Sequence, residues 1–399
     1  MNLFVVLVPA LAAFIATSWL QPYILRFAKE KHIVDNPDAR KLQRVPIPIM
    51  GGVAVVFGLL IGVMCCNILG DFNDMFAVFV SAFVLMFVGM IDDIKGLSPQ
   101  IRFFVEVLVV ALLIFVTGTQ IDNFKGLWGI NTLNAWWTVP LTIFACVGII
   151  NAINLIDGVD GYSSGYCIMA SLMFGIAFYI WGNLKMVVLA AIIVSALLPF
   201  FVCNVFGKES KMFIGDAGTL SMGVLMATFV TSILSKTTDI SNVDPNVGLI
   251  PFTLAVMSVP VFDTLRVMSV RILKGRSPFS PDKTHLHHLF IEYGFSHIGT
   301  TFSILSMNAI VVLCWLIVCE LGMTIEGQLY VVIGMSVLIT FVFYAVMTNQ
   351  LAKNTKICRF MKRLGRYSHI ERQGFWLRLQ NWLDRKVGPE EEAERQKAA

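Results

Sequence analysis

Long apolar runs, each close to the length of a membrane span, alternate along the chain with short polar or Gly/Pro-rich segments. A helix needs ~20 mostly apolar residues to cross a bilayer, and about eleven runs meet this criterion. Their limits lie near residues 3–25, 49–69, 75–91, 101–118, 136–152, 162–181, 186–204, 217–235, 249–270, 300–319 and 328–348. The pattern predicts an all-α polytopic membrane protein, with a transmembrane domain over residues 1–348 and a tail over 349–399.

Composition supports this fold class. Hydrophobic residues make up 57% of the chain and charged residues only 14%, whereas a soluble domain has about a quarter of its residues charged. The eight cysteines lie in apolar stretches, and none forms a CxxC pair. We therefore expect small buried hydrophobes there rather than a zinc knuckle or a redox dithiol.

Positive charge predicts the orientation of the chain. Of the 30 Lys and Arg residues, all but Lys125, Lys185 and Lys236 fall in alternate connections or in the tail. Because Lys and Arg accumulate on the cytoplasmic side, we expect the N-terminus outside and the tail in the cytoplasm. The basic, partly amphipathic tail interleaves aromatic residues with Arg, which predicts an interfacial helix on anionic membrane lipid and no nucleic-acid partner.

The dense polar clusters all lie on the predicted cytoplasmic side, at the ends of spans. A transporter would place ionisable groups near the middle of the bilayer. Clusters at the inner ends suit an enzyme that joins a water-soluble substrate to a membrane-embedded one. A multi-pass transporter or lipid flippase remains the alternative from another functional class.

The first cluster is a pair of adjacent carboxylates, Asp92 and Asp93, followed by Lys95. Neighbouring positions on a helix point about 100° apart, so the two side chains cannot face the same group. We expect one of them to reach the reacting centre while the other caps a helix or pairs with Lys95.

The second cluster, NAINLIDGVDG at 151–161, repeats polar residues at a spacing of three. Residues three apart share one face of a helix, and glycine frees the backbone to turn or to approach a phosphate closely. Two amides and two carboxylates in this pattern are more than a solvated loop needs. The residues concerned are Asn151, Asn154, Asp157 and Asp160.

Two further clusters complete the set. Asp216, in FIGDAG at 213–218, can cap the eighth span or hold Mg²⁺, which takes only one or two protein carboxylates and leaves other positions to phosphates. The long loop after residue 270 offers cations and imidazoles suited to phosphate recognition, and we expect the isolated His297 to be a loop histidine. The loop residues concerned are Arg276, Lys283, His285, His287 and His288.

Together the clusters supply carboxylates and amides for a metal, cations for phosphate, and an aromatic side chain at Phe213. Phosphoryl transfer requires mainly positioning and neutralisation of charge. A lipid phosphate lies at this depth in the bilayer and is a suitable nucleophile.

These motifs, in this order, resemble those of the polyprenyl-phosphate N-acetylhexosamine-1-phosphate transferases, of the glycosyltransferase family 4 type. The HLHH form is similar to the branch that uses N-acetylglucosamine phosphate. The resemblance is carried by DDIK at 92–95, NAINLIDGVDG at 151–161, FIGDAG at 213–218 and SPFSPDKTHLHHL at 277–289.

The resemblance implies transfer of N-acetylglucosamine 1-phosphate from UDP-N-acetylglucosamine to undecaprenyl phosphate, with release of UMP. It also implies Mg²⁺, with Mn²⁺ as a second candidate, and a place in the bacterial cytoplasmic (inner) membrane. The reaction would be the first membrane step of O-antigen or related cell-surface polysaccharide synthesis. Another UDP-N-acetylhexosamine donor is the alternative, and a homodimer is left open.

The resemblance also implies roles for residues. Asp216 and Asn154 match metal-binding positions, and Asp92 and Asp93 match an acidic pair tied to activation of the lipid phosphate. Asp157 and Asp160 match essential carboxylates, Phe213 matches a uracil-stacking position, and His285 matches the first histidine of the sugar-nucleotide loop. The predicted substrate-binding set further contains Asn151, Lys95, Arg276, Lys283, His287 and His288. The family often has a histidine where this chain has Gln43, after Arg40 and Lys41.

Overall fold

Helices make up most of the described chain in the structure, a computed structural model that describes residues 3–37, 45–69, 74–240, 242–278, 283–370, 373–385 and 387. The helices are α1 (Leu3–Glu30), α2 (Gly51–Leu69), α3 (Asp74–Lys95), α4 (Pro99–Thr117), α5 (Ala135–Leu155), α6 (Tyr162–Ile180), α7 (Leu184–Phe206), α8 (Gly215–Ile233), α9 (Leu249–Val256), α10 (Ser258–Leu273), α11 (Leu286–Glu292), α12 (His297–Glu320), α13 (Ile325–Val337), α14 (Phe343–Ala352), α15 (Lys356–Tyr367) and α16 (Gly374–Asp384).

The helices confirm the prediction of an all-α polytopic membrane protein. Within the described residues, nine helices are long and apolar enough to cross a membrane, counting α13 and α14 as one helix joined by a π-helical stretch, Leu338–Val342. The pair α9 and α10 bends by 73° and would add a tenth span. The apolar part of α2, Gly51–Cys66, is shorter. The predicted runs fall on these helices, while the count of eleven spans and the orientation of the termini stay predictions.

Helix α8 is the axis of the bundle. Of its residues only Asp216 is not buried, and α2, α3 and α5 pack around it. A Cβ atom on Gly52 would lie 2.2 Å from the backbone nitrogen of Gly218, and one on Gly89 would lie 2.3 Å from the backbone carbon of Asp216. Small residues let membrane helices approach closely, so these two glycines allow α2 and α3 to reach the first turn of α8.

A small backbone arrangement joins the first connection to the start of α8. Strands β1 (Val34–Asp35) and β2 (Ile47–Pro48) pair antiparallel. The backbone nitrogen of Phe213 donates to the carbonyl of Pro48 at 2.8 Å, and that of Gly51 donates to the carbonyl of Phe213 at 2.9 Å. These bonds fix the segment before α8 against the start of α2. The positions of Arg40, Lys41 and Gln43 lie outside the described residues.

The tail forms two helices, α15 and α16, rather than the single interfacial helix expected. Helix α16 packs on α7, where the rings of Phe206 and Trp376 stack with their centroids 5.1 Å apart. Asp384 accepts hydrogen bonds from the backbone nitrogens of Lys208 at 3.1 Å and Ser210 at 2.9 Å. The described tail is therefore attached to the loop that leads into α8. The proposed boundary at 348 falls inside α14, and contact of the tail with lipid stays a prediction.

Candidate active site

A polar cavity of about 1080 Å³ lies at the end of the bundle where α3 and α5 end and α8 begins. All four polar clusters of the sequence contribute to its walls, so they form one site. Its acidic lining residues are Asp35, Asp92, Asp93, Asp157, Asp160 and Asp216, and its basic and imidazole lining residues are Arg102, Lys211, Arg271, His285, His287, His288 and His297.

Asp93 caps the first turn of α8. Its two carboxylate oxygens accept hydrogen bonds from the backbone nitrogens of Asp216 at 3.0 Å and Ala217 at 3.2 Å. The first amides of a helix have no partner within the helix, and a carboxylate there also meets the positive end of the helix dipole. One member of the acidic pair therefore caps a helix, as expected. The helix that it caps is α8, which carries Asp216 of the FIGDAG cluster.

Asp92 points away from its neighbour, as the helical spacing predicts. One of its oxygens accepts a hydrogen bond from the backbone nitrogen of Leu97 at 2.6 Å, which closes the turn after α3. The other lies 3.3 Å from the guanidinium of Arg102 on α4. The cation beside the acidic pair is therefore Arg102, not Lys95, whose exposed side chain does not line the cavity.

Asp216 and Asn154 meet at the floor of the cavity. The Asn154 amide nitrogen donates to Asp216 at 2.6 Å and to the hydroxyl of Thr219 at 2.9 Å. The second oxygen of Asp216 lies 3.4 Å from Arg102. Arg102 therefore bridges the carboxylates of Asp92 and Asp216. The structure brings both residues predicted to bind metal into direct contact.

Asn151 lies beneath the cavity rather than on its surface. Its amide nitrogen donates to Glu106 at 2.5 Å, and Glu106 lies 3.6 Å from the guanidinium of Arg102 one turn away on α4. The Glu106 side chain is fully buried. Asn151 thus orients the acid that holds Arg102, and the structure does not place it where it would touch a substrate in the cavity.

The two carboxylates of the DGVDG turn have different partners. Asp157 accepts a hydrogen bond from the hydroxyl of Ser163 at 2.5 Å. Asp160 lies 2.6 Å from Lys211 and 2.7 Å from His297. Burial alone would raise the pKa of Asp160, but hydrogen bonds from His297 and Lys211 hold it below its usual range. Asp160 is therefore ionised near neutral pH.

Phe213 lies half-buried on the wall of the cavity. Its backbone is fixed by β2 and α2, as described above, and the Lys211 ammonium is 5.9 Å from the centre of its ring. The ring is positioned by main-chain bonds and has a cation beside it. It can form an aromatic platform for a planar ligand.

The histidine loop packs against the DGVDG turn. A Cβ atom on Gly158 would lie 2.3 Å from Nε2 of His287, so only glycine leaves room for this ring. Burial, with the neighbouring histidines, lowers the pKa of His287 well below its usual range, and its ring is neutral. The rings of His285 and His287 are parallel, with centroids 5.6 Å apart. All three histidines of HLHH line the cavity.

Besides Lys95, two more predicted substrate-binding cations do not line the cavity. Arg276 and Lys283 are exposed, on the loop outside it. The cavity is instead lined by Arg271, whose guanidinium also donates to the carbonyl of Pro278 at 2.6 Å, and by Lys211 and Arg102. The predicted type of group is present, but the residues that supply it lie on other elements.

The cavity oxygens fit the divalent cation that the sequence motifs imply. Mg²⁺ prefers oxygen ligands and usually keeps several waters. Asp216 and Asn154 are in contact, and Asp92 and Asp157 line the same cavity. No group of three or more His, Cys, Asp or Glu side chains converges as a metal cage in the part of the chain that the structure describes. A Mg²⁺ ion here would take most of its ligands from water and from phosphate oxygens.

Several residues of the site escaped the sequence analysis. His297, expected to be a loop histidine, begins α12 and binds Asp160. Arg102 and Lys211 contributed to the predicted orientation of the chain, but they were not predicted to be site residues. Glu106 could have been found from the sequence, because it is an ionisable residue inside an apolar span, and such residues are expected to have a functional or pairing role.

The chain is similar to known membrane transferases over most of its length. The model of the family described as glycosyl transferase family 4 matches residues 75–234, which include the first three clusters. The protein named "Probable undecaprenyl-phosphate N-acetylglucosaminyl 1-phosphate transferase" of Bacillus subtilis is 31% identical over 279 residues, 70% of this chain and 75% of that protein. The undecaprenyl-phosphate alpha-N-acetylglucosaminyl 1-phosphate transferase of Escherichia coli K12 is 26% identical over 384 residues, 94% of this chain and 98% of that protein.

We predict that Asp93→Ala lowers the thermal unfolding midpoint of the purified protein more than Asp92→Ala does. The first change removes the cap of a buried helix, which typically costs about 1 kcal/mol, whereas Arg102 keeps Glu106 and Asp216 as partners when Asp92 is lost. Thermal unfolding in detergent, followed by size-exclusion fluorescence, measures the difference. Equal shifts for the two variants would contradict the capping role of Asp93.

Proposed function

We infer the reaction from the family, because this chain belongs to glycosyl transferase family 4, as a member of the undecaprenyl-phosphate N-acetylglucosaminyl 1-phosphate transferases. The sequence identity and the coverage given above show this membership. The chain transfers N-acetylglucosamine 1-phosphate from UDP-N-acetylglucosamine to undecaprenyl phosphate and releases UMP. The observation that carries this proposal is the gathering of all four polar clusters around one cavity at the end of a bundle of apolar helices.

Mg²⁺ is the cofactor that we propose for this cavity. Asp216 and Asn154 would hold it, and Asp92 and Asp157 line the same cavity. When bound, the ion neutralises charge on the diphosphate that is being cleaved. The chain contributes the rest of the electrostatic field, because Arg102 is held at this point by three carboxylates.

The donor would lie along the wall formed by Phe213, Lys211 and the histidine loop. The Phe213 ring suits the uracil base, because its main chain is fixed on both sides. Lys211, Arg271 and the imidazoles of HLHH can then bind the diphosphate and sugar oxygens. Asp160 would keep Lys211 and His297 in place rather than touch the reacting phosphorus.

The acceptor would approach along α4. Phe103 and Phe104 on this helix are exposed, with 48% and 67% of their surface accessible, and suit a lipid environment. Arg102, their neighbour in sequence, turns into the cavity. A lipid phosphate at the end of α4 would therefore meet a guanidinium first, and then Asp92. We propose that Asp92 acts on the acceptor side, and that Asp93 acts by positioning Asp216.

The setting that we propose is the bacterial cytoplasmic membrane, with the cavity open to the cytoplasm, where UDP-sugars are found. The product would begin an O-antigen or a related surface polysaccharide. Support comes from the charge pattern of the sequence, in which Lys and Arg fall almost entirely in alternate connections or in the tail.

We expect purified protein to move radiolabel from UDP-N-acetylglucosamine, labelled in its β-phosphate, into the lipid fraction when undecaprenyl phosphate and Mg²⁺ are supplied. The reason is the family membership together with the donor wall described above. A panel of UDP-N-acetylhexosamines, including galactosamine and fucosamine derivatives, measures donor preference by initial rate. A preference for another sugar of the panel would keep the chemistry and change the donor, and no lipid product with any donor would overturn the proposal.

Asp216→Asn is predicted to lower transfer by roughly 100-fold or more, because the neutral amide is a poorer ligand for a hard cation and supports less charge at the reacting phosphate. The Mg²⁺ concentration that gives half-maximal rate should rise. Asp239→Asn, an exposed carboxylate at the opposite end of the bundle, is the control and should leave the rate unchanged. Wild-type turnover by Asp216→Asn at ordinary Mg²⁺ would remove Asp216 from the metal site.

The orientation can be tested with single cysteines in a background whose eight native cysteines are replaced. A cysteine at exposed Arg276 should react with a membrane-impermeant thiol reagent only after the cells are opened. One at Leu321, exposed at the other end of the bundle, should react in intact cells. The opposite pattern would contradict both the orientation and the cytoplasmic site.

A further inference from the structure

A buried ionic network on α10 lies directly behind the histidine loop. Asp263 and Arg266 stand one turn apart, with 3% of their surface exposed in each case. The Arg266 guanidinium donates to Asp263 at 2.6 Å and to the backbone carbonyl of Thr284 at 2.5 Å. It also lies 3.6 Å above the centre of the Tyr344 ring. This places a rigid cation–anion pair where α10 meets the start of HLHH.

The second oxygen of Asp263 contacts the loop itself. It lies 2.9 Å from Nδ1 of His285 and accepts a hydrogen bond from the backbone nitrogen of Leu286 at 3.3 Å. A carboxylate that is ionised in its pair with Arg266 can only accept, so Nδ1 of His285 must carry a hydrogen. The other ring nitrogen, Nε2, is then the one available to the cavity that His285 lines.

We propose that Asp263 is a positioning residue, which sets the tautomer and the orientation of His285 so that Nε2 is presented to the donor, while Arg266 holds Asp263 and the loop backbone. This inference rests on the proposed function, because it gives His285 a donor to bind. A carboxylate behind an imidazole orients the ring in many enzyme and metal sites, and the loss of such a partner lowers activity although it touches no substrate.

The geometry goes beyond what a simple loop anchor needs. The hydrogen bond from Arg266 to Thr284 and the bond to the Leu286 amide already fasten the backbone on both sides of His285. The contact with Nδ1 adds nothing to that attachment. What it does is hold the ring itself, which lies parallel to that of His287, and select one of its two tautomers.

Asp263→Asn keeps the size of the side chain and offers an N–H to Nδ1, which favours the opposite tautomer. We expect kcat/KM for the UDP-sugar to fall roughly 10- to 100-fold, with the KM for the lipid acceptor unchanged. In a His285→Ala background the same change should add less than about threefold, because residues that act through one another are not additive. Asp122→Asn, at another buried carboxylate paired with a lysine, is the matched control and should leave kcat/KM unchanged.

Full additivity of Asp263→Asn and His285→Ala would overturn the inference in favour of an independent structural role. A second measurement does not depend on activity or on the folding of Asp263→Asn. Nitrogen-15 spectra of histidine-labelled wild-type protein, with His285 assigned from its loss in His285→Ala, should show the hydrogen on Nδ1. A hydrogen on Nε2 alone would also overturn it. Failure of the wild type to transfer sugar phosphate would contradict the proposed function, while the spectra would still test the tautomer.

Discussion

The start of α8 is buried in the middle of the bundle, and its unpaired amides are bound by the carboxylate of Asp93 from another helix. The rest of the site depends on this contact. The positive end of a helix dipole stabilises negative charge, so several carboxylates can gather around it within an apolar bundle. Gly215 makes the contact possible, because its φ is +68° and a Cβ there would lie 2.5 Å from the Asp93 carboxylate.

The carboxylates around the cavity differ in the cations that neutralise their charge, and this difference distinguishes their roles. Asp92 and Asp216 share Arg102, whereas Asp160 is bound by Lys211 and His297. In an interior of low dielectric constant such pairing decides whether a carboxylate stays ionised. Asp160 is thus paired with two cations of the protein. Asp216 shares Arg102, its only described cation, with two other acids, so it is the carboxylate best able to bind a further positive charge.

Sequence periodicity was sufficient for the helices and for the divergence of Asp92 from Asp93, because both follow from local geometry. It failed for partners that come from other helices. Lys95, Arg276 and Lys283 are near the acidic and histidine clusters along the chain, yet Arg102, Lys211 and Arg271 line the cavity. Spacing along one helix predicts neighbours on that helix, whereas the contact of His297 with Asp160 is set by how α12 packs beside the DGVDG turn.

Glu106 and Asp263 lie inside apolar helices but do not make this chain resemble a transporter, because each is bound by fixed neighbours. Glu106 binds Asn151 and Arg102 beneath the cavity, and Asp263 binds Arg266 and His285 behind its histidine wall. A group that must carry an ion or a proton across the bilayer would have to exchange partners. Fixed partners suit phosphoryl transfer instead, since its catalysis depends on charges that are already in place when the substrate binds. The buried networks on α4 and α10 therefore act in the same way at two places: one fixes Arg102 beside Asp92 and Asp216, and the other fixes the histidine loop on the cavity wall.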